Sequence, residues 1–162
     1  MTSTLTGEAL IGEASAPRRQ GTLVGIAVLS AHGGSAATTV AGWLDLTEVD
    51  ETAAGDPFRL VVVTARTTTS GFDQLLASVA AVPEATSVLV AASADAPLRA
   101  PGGVRARAKA LQRSDRDVAL VTLPYEPSWR HCPAAMRRPS KAYRRQLAKL
   151  QAVITHHERS GA

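Results

Sequence analysis

The residues whose types and spacing best suit chemistry are His32-Gly33-Gly34-Ser35-Ala36-Ala37-Thr38-Thr39. They lie between the apolar run "TLVGIAVLS" (22–30) and the stretch "ATTVAGWLDL" (37–46), whose Val40, Trp43 and Leu44 share a helical face. A strand, a glycine turn and a helix opening on threonines is the layout of a phosphate-binding loop. Glycines let backbone N–H groups approach a phosphate, and the helix N-terminus adds unpaired N–H groups and a positive dipole end. In a loop reading G-x-x-x-x-G-K-[ST], lysine reaches the outer phosphates and the hydroxyl holds Mg²⁺. Ala37 stands where that lysine belongs, and Ala36 adds a Cβ where backbone should approach phosphate. The strand at 58–65, "FRLVVVTA", runs into Arg66, so threonine and arginine occupy the end where a metal-ordering carboxylate would sit. Phosphoryl transfer is catalysed by positioning and charge stabilisation. Without lysine or carboxylate, hydrolysis is not expected and no catalytic residue is assigned. Nucleotide binding would fall to His32, Gly33, Gly34, Ser35, Thr38 and Thr39, with His32 or Arg66 supplying charge. The bland alternative is a strand–turn–helix that only shapes the fold.

Two other chemistries fit less well. Gly33–Ala37 is one residue short of a G-x-S-x-G nucleophile elbow, and His131 with Asp95 or Asp115 would complete a Ser-Asp-His order. That elbow needs several strands before it, and only one precedes Ser35. His131-Cys132 and His156-His157 are adjacent pairs, and adjacent helical residues point about 100° apart. Neither has zinc-site spacing, so no metal site is expected.

The C-terminal segment carries a different signal. Tyr143, Leu147, Leu150 and Ile154 recur at i, i+4, i+7 and i+11, one apolar helical face. Arg137, Arg138, Lys141, Arg144, Arg145 and Lys149 surround that stripe with positive charge. Such a helix can dock on a sheet and leave a solvated outer face, or it can meet nucleic-acid phosphates or a protein partner. The net charge of +4 conceals a strong asymmetry. Residues 22–95 hold eight acids (Asp45, Glu48, Asp50, Glu51, Asp56, Asp73, Glu84, Asp95) against Arg59 and Arg66. From residue 96 onward, fourteen Lys/Arg face only Asp115, Asp117, Glu126 and Glu158.

These residues need a scaffold, and 162 residues suffice for one packed core. Near-continuous apolar runs at 22–30, 58–65, 86–92 and 117–124 read as buried parallel strands. Between them lie helical patterns at 37–46, at 72–82 with the stripe Phe72, Leu75, Leu76, Val79 and Val82, and at 104–113. A last helix starts at a Ser140 cap and runs to Gly161. "TEVDETAAGDP" reads as an acidic loop and 125–139 as irregular. Strands alternating with helices predict a three-layer α/β domain of the P-loop/Rossmann type, with about four parallel strands and helices on both faces. Its divisions are a flexible tail at 1–21, the α/β domain at 22–133 and the basic amphipathic helix at 134–162. A lone cysteine, Cys132, excludes an internal disulfide and suits a reducing compartment. No apolar run approaches the ~20 residues of a membrane span, and residues 1–20 lack a signal-peptide pattern. A cytoplasmic location is expected.

The loop also resembles that of the ParA/MinD-type partition ATPases, K-G-G-x-G-K-T-T. Laid on it without gaps, His32–Thr39 keeps the double glycine and double threonine and loses both lysines and the third glycine. More narrowly, "RLVVVTARTTTSGFDQ", "VLVAASADAPLRAP" and "LVTLPYEPSWR" are similar to segments of small degenerate P-loop proteins of unknown function from Streptomyces and related actinobacteria. Members of that family are often encoded near conjugative-transfer genes. The resemblance implies a pseudo-ATPase without catalysis, an accessory or regulatory protein in a DNA-transfer or partition assembly. It implies a protein partner, with nucleic acid reached through the basic end. No cofactor is expected on this reading. The alternative is a nucleotide-binding switch that takes ATP and Mg²⁺ on His32–Thr39.

Overall fold

The computed structural model describes residues 25–50, 53, 58–132 and 137–160. The expected tail at 1–21 and the Gly161 stop lie outside the described residues. The chain forms β1 (Ile26–Ser30), α1 (Ala37–Leu44), β2 (Thr47–Val49), β3 (Leu60–Arg66) and α2 (Thr69–Ala81). It continues with β4 (Ser87–Ser93), α3 (Gly102–Gln112), β5 (Val118–Leu123), a 3₁₀ turn (Pro127–His131) and α4 (Lys141–Ser160). All neighbouring strands are parallel, in the order β2-β1-β3-β4-β5.

The expected α/β class is therefore observed, with five strands rather than about four. The added strand, β2, lies inside the stretch read as an acidic loop. It spans only Thr47–Val49 and carries the exposed Glu48, too short and polar for a buried-strand pattern. Its cost to an aggregation-prone edge is low for the same reasons. The region after β5, read as irregular, contains the 3₁₀ turn.

Burial on both faces explains the apolar strands. Alternate residues Val28, Leu60, Val62, Leu89 and Ala91 face α1 and α4, whose Val40, Leu44, Tyr143, Leu150 and Ile154 close that core. Leu29, Val61, Val63, Val88 and Val90 face α2 and α3, which contribute Phe72, Leu75, Val79, Val104 and Leu111. The expected stripes of α2 and α4 are thus the buried ones. The basic segments around α3 and α4 belong to opposite layers, so they do not form one face.

The chain leaves β1 through α1 toward β2 and then returns to the other side of β1 as β3. That reversal makes the carboxyl ends of β1 and β3 the switch point of the sheet, where a ligand crevice opens in folds of this kind. Among the described residues, no helix is long and apolar enough to cross a membrane.

Arg116 locks the α2–β4 corner. Its Nη1 donates to Val79 O at 2.6 Å, and its Nη2 donates to Val82 O and Pro83 O, both at 2.7 Å. Val79 O and Val82 O end α2, where backbone acceptors have no helical partner, and Pro83 O, in the turn that follows, also accepts the Thr86 N–H at 3.0 Å. Charged hydrogen bonds of this sort contribute about 1.5–3 kcal/mol, and losing the donor also strands Val79 O and Val82 O. Arg116→Ala is expected to lower unfolding stability by about 2–4 kcal/mol in urea denaturation.

Candidate functional site

The β1–α1 loop is fastened to the end of β3 by three sets of bonds. His32 Nε2 accepts the backbone N–H of Arg66 at 3.0 Å, so that ring nitrogen carries no proton. The proton is then on Nδ1, which donates to Gly33 O at 3.1 Å. Arg66 Nε donates back to Gly34 O at 2.8 Å. Beneath them, Ser35 Oγ sits 2.7 Å from both Ser30 Oγ and Thr64 Oγ1. Ser30 Oγ in turn donates to His32 O at 2.8 Å. One direction satisfies all the short contacts: Thr64 donates to Ser35, Ser35 to Ser30, and Ser30 to the carbonyl. The longer 3.3 Å approach of Thr64 Oγ1 to Leu29 O shares the first proton.

Close approach demands glycine at two positions. A Cβ on Gly71, in the first turn of α2, would lie 2.6 Å from Arg66 O and 3.0 Å from His32 Nε2. One on Gly34 would meet Arg66 Nη2 at 3.0 Å, and Gly34 has φ 77°.

These bonds sort the expected binding residues. Ser35 is buried and fully engaged in the hydroxyl chain, so it is neither an exposed ligand group nor a nucleophile. His32 is used to hold the loop and cannot present a cation while accepting from Arg66. Gly33 and Gly34 are exposed at the turn, and Thr38 is exposed in the first turn of α1. Thr39 Oγ1 accepts from Arg137 Nη1 at 3.2 Å.

Arg137 is brought to this loop across 98 positions of sequence. Sequence places it with the basic helix, yet its Nε donates to Cys132 O at 3.2 Å and its guanidinium lies 5.9 Å from the centre of the Trp129 ring. Lys141, Arg144, Arg145 and Lys149 remain exposed on α4, with Arg138 just before it.

Together these elements wall a cleft of about 780 Å³ over the carboxyl ends of β1, β3 and β4. One end is formed by the loop backbone, the first turn of α1, Arg66 and Arg137. The N–H groups of Ala37, Thr38 and Thr39 have no intrahelical acceptor, and α1 has no side-chain cap. Two cations and a helix N-terminus can hold an anion there. The other end carries Ser93, Tyr125, Glu126, Trp129 and Tyr143. Trp43 packs edge-on against Trp129 and Tyr143, which are tilted against each other, with ring centres 4.7–5.3 Å apart, joining α1, the 3₁₀ turn and α4.

Carboxylates line the cleft too: Glu48, Asp95 and Glu126. Asp95 Oδ1 pairs with Arg66 Nη1 at 3.3 Å, and Glu126 Oε1 accepts the N–H of Ser140 at 3.1 Å. Among the described residues, no three His, Cys, Asp or Glu side chains converge as metal ligands. Glu126 and Trp129 carry no sequence signal as site residues because they follow β5 in a segment without periodicity, and Arg137, expected at a nucleic-acid or partner surface, lines the cleft instead. Asp95 stands two residues past β4, the one position where a strand end could have signalled it.

The fold and cleft define an open parallel α/β protein with a ligand-sized crevice at its switch point. No protein-family model, curated protein or solved structure matches the chain.

Ala36 keeps a glycine-type backbone, with φ 72° at the N-cap of α1. A left-handed conformation costs an L-residue roughly 1–2 kcal/mol, and glycine's extra freedom in the unfolded chain takes back about 0.5–1 kcal/mol. Ala36→Gly is therefore expected to raise unfolding stability by about 0.5–1 kcal/mol by thermal and urea denaturation. A drop would mean that the methyl group packs usefully.

Proposed function

We propose that this protein is a non-catalytic, degenerate P-loop protein that binds an anionic, phosphate-like group without metal. In this reading it serves as an accessory or regulatory component of a DNA-transfer or partition assembly. The observation that carries the binding is the pair Arg66 and Arg137, which flank the uncapped first turn of α1. They supply positive charge that Ala37 does not.

The non-catalytic part of this reading has its own support. Arg66 holds the end of β3 and is tied to Gly34 O and Asp95, so the nearest carboxylate is already neutralised. A loop bonded to its neighbour at this many points also has little freedom to close around a triphosphate. The role in an assembly rests on the sequence resemblance and on the exposed cations of α4.

Binding only the native state raises its melting temperature by mass action. Pyrophosphate or ADP at millimolar concentration, with EDTA present, is expected to raise Tm, and Arg137→Ala should weaken binding roughly tenfold, the loss of one charge-assisted contact. ATP should release no phosphate over hours. An unchanged Tm with every anion would remove the binding reading, and steady phosphate release would remove the non-catalytic one.

Nucleic-acid contact through α4 gives a separate expectation. A mobility shift should weaken steeply with salt, and Arg144→Ala with Arg145→Ala should reduce the log–log salt slope by about 2. Absence of a shift at low salt would leave the α4 face to a protein partner or to solvent.

A further inference from the structure

Two hydroxyls in the cleft wall have no well-formed hydrogen bond in the protein. Ser93 Oγ, at the end of β4, and Tyr143 Oη, in the first turn of α4, are buried next to each other, but neither makes an aligned hydrogen bond to any described residue. Tyr143 is only 1% exposed, and its ring is clamped between Trp43 and Trp129. Its hydroxyl therefore cannot simply swing out to water. Leaving such a group unsatisfied costs about 1–3 kcal/mol. An apolar residue of the same shape would avoid that cost.

The surroundings indicate what would use them. Burial raises the Tyr143 pKa and the nearby Glu126 carboxylate raises it further, outweighing the adjoining Ser93 hydroxyl and Arg137, which pull it down. At neutral pH the phenol is therefore an intact O–H, able to donate one hydrogen bond and accept another. The same holds for Ser93. Glu126 adds an acceptor beside them, while Trp129 and Tyr125 supply flat apolar walls. Arg137 lies between this end and the first turn of α1, so a single ligand can touch both ends of the cleft.

We infer that the ligand of this cleft is an organic phosphate whose non-phosphate part carries a hydroxyl or amino group, read by Tyr143 and Ser93 with Glu126 beside them. This rests on the anion-binding reading above and adds the second half of the ligand. Hydroxyls buried in a wall discriminate well, because an analogue without the matching group leaves them unpaired. Nucleoside phosphates and sugar phosphates share this chemistry.

The test is calorimetric titration of the full-length protein, in EDTA, with pyrophosphate, ribose 5-phosphate and AMP. The wild type is expected to bind at least one organic phosphate more tightly than pyrophosphate. Tyr143→Phe and Ser93→Ala should each weaken that organic phosphate about tenfold while moving pyrophosphate by less than about twofold. Tyr143→Phe keeps the ring, so the Tm of the free protein should stay the same or rise. A preference already present for ribose 5-phosphate assigns the hydroxyls to the sugar, and one that needs AMP assigns them to the base; either supports the inference. Pyrophosphate binding as tightly as both organic phosphates overturns the inference and spares the anion reading. Equal loss of all ligands in both variants does the same. A clear fall in Tm for Tyr143→Phe also overturns it, since the hydroxyl would then already be satisfied in the free protein. No binding of any probe to the wild type overturns both readings.

Discussion

The hydrogen bond from the Arg66 backbone N–H to His32 Nε2 fixes the geometry on which the rest of the cleft depends. It joins the loop after β1 to the end of β3, at the point where the order of strand addition reverses. Once it forms, the imidazole tautomer is set, Nδ1–H meets Gly33 O, and the Arg66 side chain can lie along the turn to Gly34 O. Gly71 then matters because α2 must begin within van der Waals contact of the same ring. The buried chain Thr64–Ser35–Ser30 secures the loop from below with hydroxyls that have nowhere else to bond. A polar network like this is stabilising only when every member is satisfied. Here a single proton direction satisfies it.

This latch also explains why the loop differs in behaviour from its motif. Ser35 and His32 look like ligand groups when the sequence is read in line, because small polar residues and histidine are what a phosphate site uses. In three dimensions their polar atoms face β3. The exposed surface of the loop is mostly backbone, from Gly33 to the first turn of α1. A left-handed Ala36 keeps that backbone turned as glycine would turn it, at a cost in strain. The backbone therefore has the shape of an anion cradle although its side chains are turned to other bonds.

The sheet was legible in the sequence because it is buried on both faces, which forces long apolar runs that polar loops interrupt. α4 was legible because one stripe of it must be apolar at helical spacing, and its Ser140 cap accepts the Tyr143 N–H as that position suggests. β2 was not, since three edge residues bury too little to require a pattern. The cleft was half legible. Its loop end follows from local sequence, whereas its far end comes from Tyr125–Arg137 and the start of α4, where no periodicity exists and positions are set by tertiary contact. Arg137 shows the difference sharply. By composition it belongs with the cations of the C-terminal helix, but packing against Trp129 and bonding to Thr39 take it into the cleft.

Where the charge comes from has a consequence for how such a site works. A lysine in the first turn of α1 would be next to the anion in any state that contains the helix. Arg66 and Arg137 reach the loop from 32 and 98 positions away, so they meet it only when the sheet and α4 are both assembled. Tyr143 couples the two further, because one ring packs on α1 through Trp43 and on the 3₁₀ turn through Trp129. An anion seated there would strengthen contacts between the loop and the C-terminal segment together. Ligand free energy would then appear as tighter docking of α4, since a ligand shifts an equilibrium only by its differential affinity for the two states. That gives the cleft a physical route to influence the basic helix α4. No bond in the ligand has to break.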